Sequence, residues 1–182
     1  GIAEGLEASV ARGGIKAEEV AQIMHGTTVA TNAILEGKGA KVALITTVGF
    51  RDVLEIRRLR MPVLYDIRWQ KPKTLVPRRL RFEVVERIDS LGEIEKPLDE
   101  DAARIVIEQA LATGVDAIAI CLLNAYANGA HEQRLLALIR AMNASIPVSL
   151  SSELLPEIKE YERTSTTVVN AYVVPVVRHY LS

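Results

Sequence analysis

The sequence is poor in cysteine, and this scarcity limits the chemistry open to it. Cys121 is the only cysteine among 182 residues, so no internal disulfide can form. It lies inside the apolar run 117–123, a setting that favours a buried and unreactive thiol over a nucleophile. Chains without disulfides are typical of the cytoplasm, and we therefore expect a cytoplasmic protein.

The sequence also lacks an excess of charge of one sign, and it lacks long apolar runs. The 22 basic and 23 acidic residues give a formal net charge of −1, so we expect no nucleic-acid partner. Basic residues cluster at 57–60 and 78–81, but acidic residues surround both clusters and predict solvated, salt-linked faces. No stretch approaches the ~20 apolar residues of a membrane span, so we expect no membrane partner either.

Several motifs of nucleotide-binding and catalytic proteins are absent from the printed sequence. It contains no Walker-type loop, no dinucleotide-binding glycine fingerprint and no G-x-S-x-G motif. Its histidines and cysteine lack zinc-binding spacing, so we predict no metal site. Gly1 runs directly into a helical pattern, and we expect the chain to be an internal piece of a longer protein.

Helical and strand patterns alternate along most of the chain. Apolar runs at 41–47, 115–123 and 147–151 predict buried strands, with a further possible strand at 22–24. Helical spacing is found at residues 2–14, 29–36, 50–58, 100–113, 130–142 and from 157 to Pro175, with Asp99 as a natural N-cap. Strands separated by helices predict an α/β fold with a mostly parallel sheet and crossover helices.

Residues 61–98 interrupt this alternation. Pro62, Pro72, Pro77 and Pro97 exclude one continuous helix there. Residues 80–88 have the pattern of extended chain, and residues 90–93 that of a turn between two strands. We predict an irregular, β-rich insertion that faces a substrate or another subunit, because long excursions from compact domains are often functional.

The first candidate site is the segment HGTTVATNA, residues 25–33, between a predicted strand and a predicted helix. Such a turn presents free backbone N–H groups that suit an anion or a polar ligand. Gly26 allows close backbone approach, Thr27 and Thr28 offer hydroxyls, and His25 can exchange a proton near neutral pH. The alternative is a purely structural helix start that Thr28 caps.

The second candidate site lies on the last predicted helix. Glu160, Arg163, Thr164 and Thr167 are spaced three and four apart, so one helical face gathers an acid, a guanidinium and two hydroxyls. Threonines are unfavourable on an isolated surface helix, so this face needs a functional or tertiary reason. An ordinary surface Glu–Arg pair is the alternative.

The third candidate site follows the apolar strand predicted at 115–123. In open α/β sheets, ligands gather beyond the carboxyl ends of strands, and residues 124–128 stand in that position. His131 and Glu132 follow on the next helix but face different directions, so they do not make a metal-binding pair. Turn and cap chemistry is the alternative, with Asn128 as a cap.

The amino-acid sequences of three long segments add a family resemblance. The segments are HGTTVATNAILEGKGAKVALITTVGFRDVLEIRR, PLDEDAARIVIEQALATGVDAIAICLLNAYANGAHEQRL and VSLSSELLPEIKEYERTSTTVVNAY. In this order they resemble the N-terminal region of the hydantoinase A/oxoprolinase family, which includes N-methylhydantoinase, 5-oxoprolinase and a subunit of acetone carboxylase. Gly129 stands where such proteins often have proline, a difference that should affect one turn.

The resemblance implies a relationship to the actin and sugar-kinase ATPases. It implies that ATP activates a cyclic amide by phosphorylating its carbonyl oxygen, before water opens a hydantoin or 5-oxoproline-type ring. ATP and Mg²⁺ are then the cofactors of the full-length parent, and a hydantoinase B-like subunit is a candidate partner. The cleft residues that it implies are His25, Gly26, Thr27, Thr28 and Asn32, with Arg163 and Thr164 as second candidates. It assigns no catalytic base.

The resemblance also implies that the chain is incomplete as an enzyme. The family's phosphate loop, D-x-G-G-T-F-T-D, and its larger downstream domain would lie before Gly1 and after Ser182. We therefore expect the chain to supply one wall of an active site, to bind no nucleotide tightly and to be inactive alone. Two alternatives stay open: a domain of an acetone-carboxylase-like subunit, and a non-catalytic assembly domain.

Overall fold

A parallel β-sheet is the centre of the fold. The computed structural model describes residues 2–14, 16–20, 22, 26–58, 66 and 68–181. Within these residues, four parallel strands form one sheet in the order β2-β1-β5-β6. Its strands are β1 (Val42–Thr47), β2 (Arg81–Val84), β5 (Ala117–Cys121) and β6 (Val148–Leu150). The predicted α/β fold with a mostly parallel sheet is confirmed.

Helices connect and cover these strands. The helices are α1 (Ile2–Gly13), α2 (Val29–Leu35), α3 (Val53–Ile56), α4 (Glu100–Ala112), α5 (Ala130–Met142), α6 (Ser151–Leu154) and α7 (Glu160–Leu181). Short 3₁₀ turns lie at Ala17–Glu19 and Arg78–Leu80. Asp99 caps α4 as predicted, since its side chain accepts a hydrogen bond from the Ala102 N–H at 3.0 Å. None of the described helices is long and apolar enough to cross a membrane.

Both faces of the sheet are buried, because successive side chains of a strand point to opposite sides. On one face, Ala43 and Ile45 of β1 and Ile118 and Ile120 of β5 pack with α4 and α5. On the other face, the alternate residues of both strands pack with Leu54 of α3 and with α7. The molecule therefore has three layers, and this double burial explains why β1 and β5 are almost wholly apolar in sequence.

A two-stranded hairpin projects from this core. Strands β3 (Arg87–Ile88) and β4 (Ile94–Lys96) are antiparallel, and residues 89–93 turn between them. The Asp89 side chain holds the turn, since its Oδ1 accepts from the N–H groups of Leu91 and Glu93 at 2.9 and 2.8 Å. Gly92, with φ of 89°, supplies the left-handed residue that the turn needs. The predicted turn at 90–93 is confirmed.

Four boundary predictions need correction. The extended stretch predicted at 80–88 is two strands, and β2 joins the main sheet beside β1, so this part of 61–98 does not leave the core. The helix predicted at 50–58 forms only over the short α3. The last helix begins at Glu160 and continues past Pro175 to Leu181, although a proline in a helix interior removes one hydrogen bond of the ladder and crowds the carbonyl four residues earlier. Of the strand predicted at 22–24, Gln22 is not in a strand and the rest lies outside the described residues.

Candidate functional site

Buried polar side chains gather at the carboxyl edge of the sheet, where β1, β5 and β6 end. This is the edge at which open α/β sheets bind ligands. The group is called the carboxyl-edge cluster below. Its members are the buried side chains of Thr46, Thr47, Glu86, His131, Glu132, Ser151, Arg163, Thr164 and Thr167.

Glu86 links three elements of the carboxyl-edge cluster. One of its carboxylate oxygens lies 2.8 Å from Nδ1 of His131, on α5. The other accepts a hydrogen bond from the Thr47 hydroxyl at the end of β1. The Thr47 hydroxyl in turn accepts from the Leu123 N–H at 2.9 Å, which follows β5. A single buried carboxylate therefore ties β1, α5 and the end of β5 together.

Glu132 is a second buried carboxylate, and it faces away from His131. Its oxygens accept from the Leu122 N–H at 2.9 Å, the Ser151 hydroxyl at 2.6 Å and the Ser152 N–H at 2.8 Å. It therefore joins the ends of β5 and β6 to α5. His131 and Glu132 diverge as expected, and in the part of the chain that the structure describes no group of three His, Cys, Asp or Glu side chains could hold a metal ion.

Arg163, in the first turn of α7, is fully buried beside the end of β5. Its Nη2 donates to the Leu122 carbonyl at 2.8 Å and lies 3.8 Å from a carboxylate oxygen of Glu160. Its guanidinium also stacks over the Tyr126 ring, 5.6 Å from the ring centroid. Nε and Nη1 have no hydrogen-bond partner among the described residues. This cation therefore holds buried donor groups that have no partner among the described residues at the carboxyl edge.

Thr164 and Cys121 form a buried pair next to Arg163. The Cys121 Sγ and Thr164 Oγ1 are 3.1 Å apart. Burial raises the pKa of the Cys121 thiol, and the nearby Arg163 opposes that shift without reversing it. The thiol is therefore protonated near neutral pH, which agrees with the prediction of an unreactive cysteine.

A groove runs between α3 and the start of α7. It has a volume of about 610 Å³, and its walls are Val53, Ile56, Arg57, Arg58 and residues 158–162. Arg57 has φ of 57° and ψ of −138°, a strained conformation for a residue with a side chain. Strain of this kind often marks a functional region. The groove lies beside the carboxyl-edge cluster, since Val53 and Glu160 also border a small cavity that reaches Arg163.

The first predicted segment lies elsewhere, at the start of α2. His25 falls outside the described residues, whereas Gly26, Thr27, Thr28 and Asn32 are exposed. Their hydrogen bonds are local: Thr27 Oγ1 accepts from the Val29 N–H at 3.2 Å, and Asn32 Nδ2 donates to Thr28 Oγ1 at 3.4 Å. Thr28 occupies the N-cap position, but its side chain makes no capping hydrogen bond.

The two groups of predicted residues are therefore different in character. Arg163 and Thr164 belong to the buried carboxyl-edge cluster. Among the described residues, no hydrogen bond connects them to Gly26, Thr27, Thr28 or Asn32. The exposed residues lie at the start of α2, and Arg163 and Thr164 lie on α7. The two helices pack against each other.

The third predicted segment fastens the hairpin to the carboxyl edge. Asn124 Nδ2 donates to the Ile88 carbonyl, and Asn128 Nδ2 donates to the Gly92 carbonyl, both at 2.8 Å. Asn128 Oδ1 also accepts from the Ala130 N–H at 3.0 Å, in the first turn of α5. These contacts match the structural alternative of turn and cap chemistry.

Sequence reasoning missed Glu86 and Thr47 as members of this site. The available signal was weak, because Glu86 lies in a segment that already contained other charged residues. Its partners Thr47 and His131 are 39 and 45 positions away in sequence. Only the folded sheet brings these three residues together.

Comparison with known proteins gives a consistent set of matches. The family model described as the hydantoinase/oxoprolinase N-terminal region matches residues 1–143. Caprolactamase subunit alpha of Pseudomonas jessenii is 42% identical over 87% of the chain. Acetophenone carboxylase gamma subunit of Aromatoleum aromaticum is 35% identical over 94% of it. 5-Oxoprolinase 1 of Arabidopsis thaliana is 33% identical over 92%.

Solved structures agree with these matches. The crystal structure of the ATP-dependent caprolactamase from Pseudomonas jessenii superposes on 99% of the chain with a TM-score of 0.87 and 39% identity. Nucleotide-free acetone carboxylase superposes on 93% with a TM-score of 0.80 and 31% identity. The chain covers 27% and 26% of those two structures, and between 14% and 26% of the three relatives.

Proposed function

Because the chain belongs to the hydantoinase/oxoprolinase family, we propose that it is part of an ATP-dependent hydrolase that opens a cyclic amide. Hydantoin and 5-oxoproline-type rings are the proposed substrates. The chain spans about a quarter or less of the length of the relatives it matches, so the proposed activity belongs to a larger parent protein.

One observation carries this proposal. The chain superposes almost completely, at 39% identity, on a protein named as an ATP-dependent caprolactamase. Caprolactam is a cyclic amide, as are hydantoin and 5-oxoproline, and all are poor electrophiles until the amide is activated. The similarity to 5-oxoprolinase 1, a protein named for a different cyclic amide, supports the same chemical class of substrate.

The structure supports a role for the chain as one wall of the active site. Its parallel sheet has a polar carboxyl edge, where the Arg163 guanidinium is only partly paired among the described residues. The proposed cleft residues are His25, Gly26, Thr27, Thr28, Asn32, Arg163 and Thr164. In this proposal residues 1–182 are a fragment of the N-terminal domain, the part of 61–98 outside β2 is an insertion in it, and the fold is related to that of the actin and sugar-kinase ATPases.

The proposal also implies ATP and Mg²⁺ in the parent. When bound, ATP supplies the phosphoryl group that activates the amide oxygen. The described residues fit only part of this requirement: Arg163 offers hydrogen-bond donors to an anion, but no three described carboxylate, His or Cys side chains gather around a metal position.

A substrate-dependent ATPase assay of the full-length parent tests the proposal. The parent, with its partner subunit where one exists, is given hydantoin, N-methylhydantoin, 5-oxoproline or caprolactam, and phosphate release and ring opening are measured together. The 182-residue chain is the matched control. We expect coupled turnover by the parent and none by the control, and ATP hydrolysis that no cyclic amide stimulates would contradict the proposal.

A carboxylase subunit is the second candidate function. The matches to acetophenone carboxylase gamma subunit and to acetone carboxylase favour it. The names of these relatives and of caprolactamase subunit alpha also support a second subunit in the parent. Acetone or acetophenone with bicarbonate in the same assay distinguishes the two functions, because only a carboxylase needs bicarbonate for turnover.

A further inference from the structure

Arg163 uses only part of its hydrogen-bonding capacity. Nη2 donates to the Leu122 carbonyl at 2.8 Å, whereas Nε and Nη1 are buried and have no partner among the described residues. Those two nitrogens carry three of the five N–H donors of a guanidinium. Charged donors without acceptors are costly in a protein interior, so this side chain needs an acceptor from outside the described residues.

The space beside Arg163 limits the size of that acceptor. A cavity of about 10 Å³ is bordered by Arg163, Thr46, Cys121 and Thr164, among other residues. This volume holds about one water-sized group, so a single oxygen atom fits and a whole ligand does not. Residues of the larger groove between α3 and α7 border the same cavity. Val53 and Glu160 line both spaces, so a ligand in the groove would lie next to the cavity that Arg163 borders.

The neighbouring groups favour an anionic ligand. The Thr164 hydroxyl is paired with Cys121, and the Thr167 hydroxyl donates to the Arg163 carbonyl at 2.7 Å. Glu160 is the nearest carboxylate, but at 3.8 Å it is beyond hydrogen-bond distance. The N-terminus of α7 adds partial positive charge at this position. The groove is lined by the basic Arg57, Arg58 and Lys159 and by the acidic Glu160 and Glu162, and Glu162 is paired with Arg58.

We propose that Arg163 binds a terminal oxygen of an anionic group, a carboxylate or a phosphoryl group, whose parent molecule lies in the groove between α3 and α7. A phosphoryl oxygen would come from a nucleotide or phosphorylated substrate, and a carboxylate from a ring substrate or its opened product. The inference deepens the proposed function and rests on it only for the choice of enzyme assay.

Ligand-dependent thermal stability of the intact protein tests anion binding without any assay of activity. Inorganic phosphate and acetate are compared with chloride at equal ionic strength, for wild type, Arg163→Lys and Arg134→Lys. Lysine keeps the charge but loses the planar fork that binds an oxyanion. Arg134 is the matched control, since it is exposed and paired with Glu100 on the other side of the sheet. We expect phosphate or acetate to raise the Tm of wild type and the control but not of Arg163→Lys.

A second variant covers the case in which Arg163→Lys does not fold. Val53→Phe adds bulk at a residue that lines both the groove and the small cavity while leaving Arg163 intact, and it should also abolish protection by the anion. If neither anion protects the wild type better than chloride, or if both variants are protected as well as the wild type, the proposal is wrong. Arg163 then binds an ordered water and has a structural role.

Steady-state kinetics of the parent identify the source of the anion. Arg163→Lys should raise the KM for ATP by about tenfold or more if a phosphoryl group binds, and the KM for the ring substrate if a carboxylate binds. Unchanged KM values for both would overturn the proposal. If the parent shows no amide-stimulated ATP hydrolysis, the proposed function fails, and the thermal measurements still decide whether Arg163 binds an oxyanion.

Discussion

At the scale of single residues, Glu86 and His131 hold the carboxyl edge together. Their side chains are 0% and 8% exposed and meet at 2.8 Å, far apart in sequence. Glu86 is closed to water in the folded protein and His131 nearly so, and each therefore depends on its partner. The Thr47 hydroxyl extends this pair to β1. A substitution of any one of these three residues should therefore destabilise the carboxyl edge of the sheet.

We predict that His131→Ala lowers the free energy of unfolding by roughly 3 kcal/mol, because it leaves the Glu86 carboxylate buried with one partner fewer. Glu86→Gln and the double variant complete a double-mutant cycle, measured by urea unfolding. Gln133→Ala, an exposed change on the same helix, serves as the control and should stay within about 0.5 kcal/mol of wild type. Additive effects of the two buried changes would show that the residues do not act as a pair.

Asp52 illustrates a residue whose charge state contributes to stability. It precedes α3 and accepts hydrogen bonds from Arg78 Nε and Nη2 at 3.0 and 3.1 Å. The Arg78 hydrogen bond lowers the pKa of Asp52, and its side chain makes no capping bond to α3. Since the folded-state pKa is below the unfolded-state value, the stabilisation is present above the unfolded-state pKa. It is lost as the pH falls through the folded-state pKa.

The corresponding prediction concerns acid unfolding. Asp52→Asn should be less stable than wild type at neutral pH, and the difference should vanish as the pH falls through the folded-state pKa of Asp52. Urea unfolding at a series of pH values between neutral and strongly acidic measures this convergence. Arg78→Gln removes the partner and should behave in the same way. A difference that stays constant with pH would mean that the carboxylate charge is not the cause.

At the scale of elements, the contact between α2 and α7 depends on a glycine. Gly39 follows α2, and a Cβ at this position would overlap the ring of Tyr172 on α7. The next residue, Ala40, donates its N–H to the Tyr172 carbonyl at 2.9 Å. The chain therefore passes directly against α7 before it enters β1, and this approach fixes the position of α2 and of the exposed Thr27 and Thr28 that precede it.

We predict that Gly39→Ala destabilises the protein by about 1–3 kcal/mol, because the ring of Tyr172 or the backbone must move. The same substitution at Gly5 is the matched control. Gly5 lies inside α1, and a methyl group added there would meet no other side chain, so Gly5→Ala should be neutral or stabilise by up to about 1 kcal/mol. Thermal unfolding of both variants checks the contrast, and equal effects would argue against a close approach at Gly39.

The elements with strong local signals could be predicted from the sequence. The apolar runs of β1 and β5, and the helical spacing and Asp99 cap of α4, carry their own evidence. The place of β2 in the main sheet could not be predicted, because its register with β1, Leu44 beside Arg81, depends on side chains distant in sequence. The sequence predicts too early an end for α7 because proline disfavours a helix interior, whereas the helix continues past Pro175 to Leu181.

The candidate site could be predicted only in part, for a related reason. Spacing along one helix identified Arg163 and Thr164, and the structure places both in the carboxyl-edge cluster. Glu86 and Thr47 join it only because two parallel strands end side by side. Their hydrogen bond has no counterpart in local sequence, and periodicity carries no information on contacts across a parallel sheet.

At the scale of the whole molecule, stability is concentrated in the two central strands. β1 and β5 lie between β2 and β6 and are buried on both faces. In α1, by contrast, all described side chains are exposed except the half-buried Val10. The hydrogen-bonded core and the first helix should therefore open with very different free energies.

Hydrogen exchange measures this difference directly. We predict that amides of β1 and β5 exchange only through global unfolding, because their N–H groups bond to neighbouring strands inside a double-sided core. Amides of α1 should exchange through local fraying, with an opening free energy lower by at least ~2 kcal/mol. Adding low concentrations of urea separates the two cases, since global opening depends strongly on urea and local fraying does not. Equal protection of α1 and β5 would mean that α1 packs against the core as one cooperative unit.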